Sequence, residues 1–284
     1  MRTGTSSSEY IRYGLEEGAK KAKEHGFSCL DFSDFTNIET DFFRLPEEEF
    51  KQELLKIKAA YEAAGITVFQ AHAPWRCPAK DSTPEDRAEW FEAMSKAIRG
   101  CSYLGCPNFV IHVIMPFGTD SPDNPEEMIS LNTEFMSGLG KVAAEYGVKH
   151  INIENLPFKN LPINYTHQVV EFVKDLNKIN GTDMYKVCFD TGHSNFCAEN
   201  IADSIRLIGK ELLGTLHIHD NNGKADQHLI PGLGTIDWKE FLQVLGEIGF
   251  DGVLNLEIHE CQTEEEQIKA ANIISEWAEQ IKRI

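Results

Sequence analysis

Nine residues of three types carry the chemistry this sequence could perform. They are His72 (VFQAHAPW), His112 (FVIHV), Glu154 (INIEN), Asp190 and His193 (VCFDTGHSN), His217 (LHIHDN), Asp226 and His228 (KADQHLIPGLG), and Glu257 (LNLEIH). Each ends a short apolar run or follows one within a few residues. A polar side chain in such a place costs several kcal/mol unless it is paired or bound to a metal. Glu154, Asp190 and Glu257 close nearly continuous apolar runs, where a ligand role outweighs a structural one. His72 and His112, taken singly, read as hydrogen-bonded structural histidines. Nine such coincidences point instead to a shared divalent cation, one ion and at most three. A mixed carboxylate and imidazole set suits zinc, manganese, iron or cobalt better than calcium, and magnesium fits less well. Among the neighbours, Trp75 and Asn155 are substrate-binding candidates. Packing competes with an aromatic platform for Trp75, and a turn cap competes with an orienting role for Asn155. Trp238 reads as packing, and His219 and Asp220 as residues that order a loop.

These residues can meet only if the chain delivers them to one place. Strand-like runs lie at Arg2–Ser6, Ser28–Phe32, Thr67–Ala71, Phe109–Val113, His150–Glu154, Tyr185–Asp190, Thr215–His219 and Gly252–Glu257. Several are apolar throughout, as strands buried on both faces should be. Between them run helical stripes: Phe50, Leu54, Ile57, Tyr61 and Ala64; Trp90, Met94, Ala97, Cys101 and Leu104; Ile268, Ala271, Ile274, Ala278 and Ile281. Thr83-Pro84 and Asn124-Pro125 place a capping side chain before a first-turn proline, and Thr263 with Glu266 matches a capping box. Gly26, Gly65, Gly105, Gly147 and Gly249 stand where helices hand over to strands. Strand–helix alternation to a count of eight predicts an α/β fold, a (β/α)8 TIM barrel forming a single domain over 1–284. An open doubly wound sheet is the rival, but no GxGxxG follows the first strand. The polar, Gly-rich segment Asp220–Thr235 would then hang over the catalytic face, where the nine residues converge from six strand ends.

Composition narrows the function. The chain has 284 residues, 42% hydrophobic and 25% charged, with 27 Lys plus Arg against 45 Asp plus Glu, a formal charge of −18. Such a surface disfavours nucleic acid and anionic membranes as partners, although bound cations can reverse the sign of a cleft. Seven cysteines, at 29, 77, 101, 106, 188, 197 and 261, form no CxxC. An odd count without a secretory leader predicts a reducing, cytoplasmic setting. No run approaches the roughly 20 apolar residues of a membrane helix.

With these motifs in place, the chain resembles the xylose-isomerase-like barrel superfamily, which holds sugar isomerases and epimerases and the endonuclease IV family of AP endonucleases. The resemblance spans nearly the whole chain and rests on IEN at Glu154, DTGH from Asp190 to His193, HIHDNNGKADQH from His217 to His228, PGLGTIDW from Pro231 to Trp238, and LE at Glu257. For the epimerase branch it implies one divalent ion held by Glu154, Asp190, His217 and Glu257. The two glutamates would shuttle a proton between neighbouring sugar carbons through an enediolate, and His193 would touch the substrate. For the endonuclease branch it implies three zinc ions, with His72, His112, His193, Asp226 and His228 as further ligands.

Departures from both patterns exist. The GAHVSxxGG-type segment of the endonucleases is absent. The second loop, Phe32–Leu45, has one Arg and is acidic, a poor probe for a DNA groove. The epimerase pattern's acidic residue and arginine are here Asn160 and Gly223. Three readings follow: a metal-dependent sugar isomerase or epimerase acting on a small carbohydrate, which we take as the leading one; a zinc-dependent AP endonuclease; and a metal-stabilised sugar-binding barrel without activity. The identity of the sugar, its phosphorylation and the oligomeric state, a homo-oligomer included, are open at this level.

Overall fold

The computed structural model describes residues 1–75, 81–119, 124–258, 261 and 263–281. Cys77 therefore lies outside the described residues. Eight strands, β1 (Arg2–Ser6), β2 (Cys29–Phe32), β3 (Thr67–His72), β4 (Asn108–Ile111), β5 (His150–Glu154), β6 (Tyr185–Asp190), β7 (Leu213–His217) and β8 (Val253–Leu256), alternate with helices. Those are α1 (Leu15–Glu24), α2 (Asp41–Arg44), α3 (Glu47–Ala63), α4 (Pro84–Leu104), α5 (Pro125–Tyr146), α6 (Thr166–Asn180), α7 (Thr191–Phe196), α8 (Ile201–Leu212), α9 (Trp238–Glu247) and α10 (Glu264–Ile281). All seven sheet pairings are parallel, in the order β7-β6-β5-β4-β3-β2-β1-β8. A parallel bridge between Ile218 and Leu256 joins the two ends, with Ile218 N–H donating to Asn255 O (2.9 Å) and Glu257 N–H to Ile218 O (3.0 Å). The sheet thus closes into the expected (β/α)8 barrel.

Local chemistry explains the boundaries. Thr83 and Asp86 form a reciprocal capping box at the start of α4, and Asn124 accepts from Glu127 N–H ahead of Pro125. Thr263 and Glu266 exchange bonds in the same way before α10. Two expectations shift. β7 starts at Leu213 and ends at His217, so His219 opens the following loop rather than ending the strand. In α10, Ile268 is exposed while Gln267 is buried in its place, donating to Glu9 O (2.6 Å) and accepting from the Tyr13 hydroxyl (3.1 Å). The polar neighbours of that helix, not hydropathy alone, set its inner face.

Strand side chains alternate, and in this barrel the alternation separates two chemistries. One set, including Leu30, Phe32, Ile151, Ile153, Val187, Phe189, Leu254 and Leu256, is buried in the apolar cluster that also holds the helices' inner faces. Each such side chain stabilises by roughly 1.5–3 kcal/mol. The alternate set includes Asp31, Gln70, Asn152, Glu154, Asp190, His217 and Asn255, all buried too. The lumen is therefore polar, and its upper layer is titratable. Among the described residues no helix is long and apolar enough to cross a membrane.

Candidate metal centre

Glu154, at the end of β5, is the hub. Its Oε1 lies 3.0 Å from His217 Nδ1 and 3.5 Å from His193 Nδ1, and its Oε2 lies 3.2 Å from His112 Nε2 and 3.4 Å from His72 Nε2. Glu257 Oε2, a buried atom, approaches His217 Nδ1 to 3.1 Å and has no hydrogen-bond partner among the described residues. Glu154, Asp190, His217 and Glu257 each offer a ligand atom within 4.8 Å of the others'. The same holds for His72, His112 and Glu154, and for His193, His219, Asp226 and His228. All nine sequence candidates thus fall in one continuous cluster at the C-terminal mouth of the barrel.

The imidazoles are anchored as metal ligands are anchored elsewhere, one ring nitrogen held so that the other is presented. His72 Nδ1 faces Ala73 O at 2.8 Å, His193 Nδ1 faces Asn155 O at 2.8 Å, and His228 Nδ1 faces Glu257 O at 2.9 Å. A carbonyl only accepts, so these nitrogens carry the proton and Nε2 points into the site. His217 is turned the other way, its Nε2 lying 3.1 Å from Asp31 Oδ2.

Three local devices hold this arrangement. The Asp190 side chain accepts from His193 N–H at 2.6 Å, capping the short helix α7 and fixing His193 above itself. Gly192 has no side chain because a Cβ there would lie 1.9 Å from the His219 ring. The loop after β7 is gathered around Asp220, which is fully buried and accepts from the backbone N–H of Asn221, Gly232, Gly234 and Ile236 and from Trp238 Nε1 at 2.9–3.3 Å. This loop carries Asp226 and His228, and His228 itself adopts a left-handed φ of 46°, a cost accepted more often at functional sites than elsewhere.

Electrostatics ask for cations. Burial opposes the charge on Glu154 and Glu257, but His217 beside both carboxyls outweighs it, holding each below the usual carboxylate range. Asp226 follows the same pattern through its bonds to His193 and His228. Burial likewise opposes protonation of His193 and His228. The surrounding carboxylates win, Asp190 first for His193 and Asp226 first for His228, raising them to about 10 and about 9. On His112 burial wins and lowers the pKa. Protons on buried imidazoles thus balance a cluster of carboxylates, the positions that divalent ions would take over. Glu257 Oε2 and Asp226 Oδ1 have no hydrogen-bond partner among the described residues. The donor set and these open valences fit a divalent metal. Burial pushes the neighbouring Cys188 thiol up to about 12, so sulfur stays a neutral bystander.

The cluster floors a cavity of about 330 Å³ walled by Trp75, Met115, Leu156, Pro157 and Phe158. Trp75 stands at its mouth, 48% exposed, with its ring 6.0 Å from His112. Asn155 corrects an expectation. Its amide is spent on the backbone of Asp190, Nδ2 donating to O (3.0 Å) and Oδ1 accepting from N–H (2.8 Å), so it ties β5 to β6 and does not line the cavity. Asp220 orders its loop, as its sequence position suggests. His219 does more than that: its Nε2 lies 3.0 Å from Asp190 Oδ1, and its ring stacks on His228 at 3.8 Å. Trp238 packs against Trp277 with centroids 4.9 Å apart. Asp31 gives no strand-end signal because it sits inside β2 rather than at its end. The signal it does give is an acid between Leu30 and Phe32 in a strand buried on both faces.

Comparison with known proteins agrees with the barrel fold. Residues 19–278 match a family described as xylose isomerase-like TIM barrel. An uncharacterised protein of Methanocaldococcus jannaschii is 28% identical over 289 positions, covering 98% of this chain and 90% of that one. A D-psicose 3-epimerase of Ruminiclostridium cellulolyticum is 33% identical over 126 residues, 44% of this chain and 40% of the enzyme. The crystal structure of a D-tagatose 3-epimerase-like protein superposes with a TM-score of 0.77 at 27% identity, covering 100% of this chain and 99% of that one.

Proposed function

The chain belongs to the xylose isomerase-like TIM-barrel family, and from that premise we infer that it isomerises or epimerises a small sugar or sugar-derived hydroxy-carbonyl compound with a divalent metal. The observation that carries this reading is the pair Glu154 and Glu257. Both line one cavity, both stand within 3.1 Å of the same His217 nitrogen, and Asp190 completes the set. Sequence relatives among sugar epimerases support the reaction class.

Glu154, Asp190, His217 and Glu257 would hold the ion, which when bound polarises a carbonyl and acidifies the neighbouring C–H bond. Glu257 takes that proton, leaving an enediolate on the substrate. Glu154, on the opposite side, passes a proton drawn from solvent to the adjacent carbon or to the other face of the same one, and Glu257 releases its own to solvent. His193 lines the same cavity, its Nδ1 fixed by Asn155 O and its Nε2 beside Asp226, and stands against the substrate. The apolar wall of Leu156, Pro157 and Phe158 limits water at the reacting carbon, and Trp75 offers a flat face to the sugar ring.

The test is a panel of ketoses, aldoses and inosose-like ketones incubated in D2O with protein loaded with zinc or manganese. Deuterium should enter one substrate C–H, and Glu257→Gln should abolish this with metal retained. Full turnover by the metal-bound Glu257→Gln variant would sink the mechanism. Washout of no C–H across the panel would favour a silent binding barrel.

A second reading rests on one observation: two of the three ligand groups share Glu154, and the third adjoins them through His193, 3.5 Å from both Glu154 and Asp190, as a three-metal phosphodiester hydrolase acting on abasic DNA would require. The formal charge of −18 works against such a substrate. Near three zinc ions per chain with nicking of an abasic duplex at moderate salt would favour it. Near one ion without nicking would favour the isomerase.

A further inference from the structure

Asp31 is the candidate with the most unexplained chemistry outside the nine ligand residues. It lies in β2, 4% exposed, beneath the site rather than in it. Its Oδ2 gathers three partners: His217 Nε2 at 3.1 Å, Gln70 Nε2 at 2.8 Å and Asn255 Nδ2 at 3.3 Å. The amides of Gln70 and Asn255 donate from β3 and β8, the strands that flank β2 and β1, so the oxygen acts as an acceptor toward all three. Oδ1 has no hydrogen-bond partner among the described residues. A buried carboxyl with one oxygen this crowded and the other idle is an expensive way to fill a barrel interior. A leucine, or an asparagine bonded on both sides, would fill it at less cost.

The geometry points to Asp31 as the positioning residue that selects which nitrogen of His217 faces the metal. His72, His193 and His228 are each fixed by a backbone carbonyl at Nδ1. His217 meets no such carbonyl among the described residues, because it ends a strand in the lumen and its ring hangs between Asp31 of β2 and Glu154 of β5. Asp31 takes that part from the opposite end of the ring. It accepts from Nε2–H, so an ion displacing the proton that Nδ1 shares with Glu154 Oε1 (3.0 Å) would meet the Nδ1 lone pair, with Glu257 Oε2 3.1 Å away. The carboxylate also makes the imidazole a stronger donor to a cation. Gln70 and Asn255 keep Asp31 from swinging away. The inference rests on the metal-dependent reading and adds to it a residue that touches neither ion nor substrate.

Metal binding, read without substrate, tests this. Zinc affinity is measured by chelator competition for wild type, Asp31→Asn and Asp31→Leu. Folding is checked by circular dichroism, and the His217 Nε2–H proton is followed by NMR in the zinc-loaded proteins. Asp31→Leu should weaken zinc binding about 10- to 100-fold, the usual cost of losing an outer partner, and should remove the downfield Nε2–H signal. Asp31→Asn keeps a neutral acceptor and should recover much of both, which a purely space-filling role would not distinguish from leucine. If folded Asp31→Leu holds zinc within twofold of wild type with the signal unchanged, the positioning role is wrong while the isomerase reading stands. Wild-type protein that takes up no zinc overturns both.

Discussion

The two mouths of the barrel differ in a way that separates shape from function. At the N-terminal mouth lies the larger depression, about 550 Å³, lined among others by Arg2, Lys149, His150, Lys186 and Lys210. Its charges are satisfied locally and remain in reach of water. Lys186 Nζ donates to Glu211 O at 2.8 Å, Lys210 pairs with Asp251 at 3.0 Å, and the Arg2 guanidinium lies over the Phe69 ring at 4.7 Å. The C-terminal mouth has a smaller cavity, but its carboxylates and imidazoles are buried and face one another. Size does not mark the site. What marks it is titratable groups taken out of water without enough partners, which a protein sustains only where a ligand repays the cost.

The comparison can be broken first at the glutamates. Replacing Glu154 or Glu257 by Gln should lower substrate C–H exchange by about 10²- to 10⁴-fold, the range for a lost general acid or base. Lys186→Gln at the other mouth should leave it within about twofold. Comparable losses at both ends would mean the assignment of the working face is wrong.

A second test addresses the loop that completes the upper mouth. Asp220→Ala strands four backbone N–H groups and the Trp238 indole N–H in a buried setting. At about 1–3 kcal/mol for each group left without water or a new partner, the loss should exceed about 3 kcal/mol in chemical denaturation. Amide exchange should rise across residues 221–236. A variant as stable as wild type would show that the cradle is incidental.

Metal removal should come next in size. At a free ion concentration 100 times Kd, binding stabilises by about 2.7 kcal/mol. Chelation should therefore lower Tm by roughly 5 °C or more for a chain of this length. No shift, with ion binding verified, would mean the unfolded chain binds as well. The smallest effect is expected at the lower mouth. Lys210→Ala breaks an exposed pair and should change stability by less than about 0.5 kcal/mol. A larger loss would mean that this face is more than a solvated rim.

The barrel was legible in the sequence because its signals are local. Eight apolar runs, paired caps at Thr83 and Asn124, and glycines at helix exits each report on a few neighbours. The nine candidate ligands were legible for a related reason, since a strand end needs only its own run to be located. Three features were not. His219 reads from the sequence as a loop-ordering residue because β7 ends two residues earlier than its apolar pattern and the imidazole's partners, Asp190 and the His228 ring, belong to other segments. Asn155 was carried toward the substrate because nothing in IEN tells which way an amide turns. Its partner, the backbone of Asp190, is 35 positions away. Asp31 stayed hidden because its meaning depends on Gln70, His217 and Asn255 converging across the lumen, which no single window of the chain displays.

The account rests most directly on the metal content of protein purified without chelators, then equilibrated with zinc or manganese and freed of excess ion. Elemental analysis should find at least one ion per chain in wild type and a clear loss in a Glu154→Gln, His217→Ala double variant that still folds. A wild-type chain that emerges metal-free, or a double variant that keeps a full complement, would contradict it.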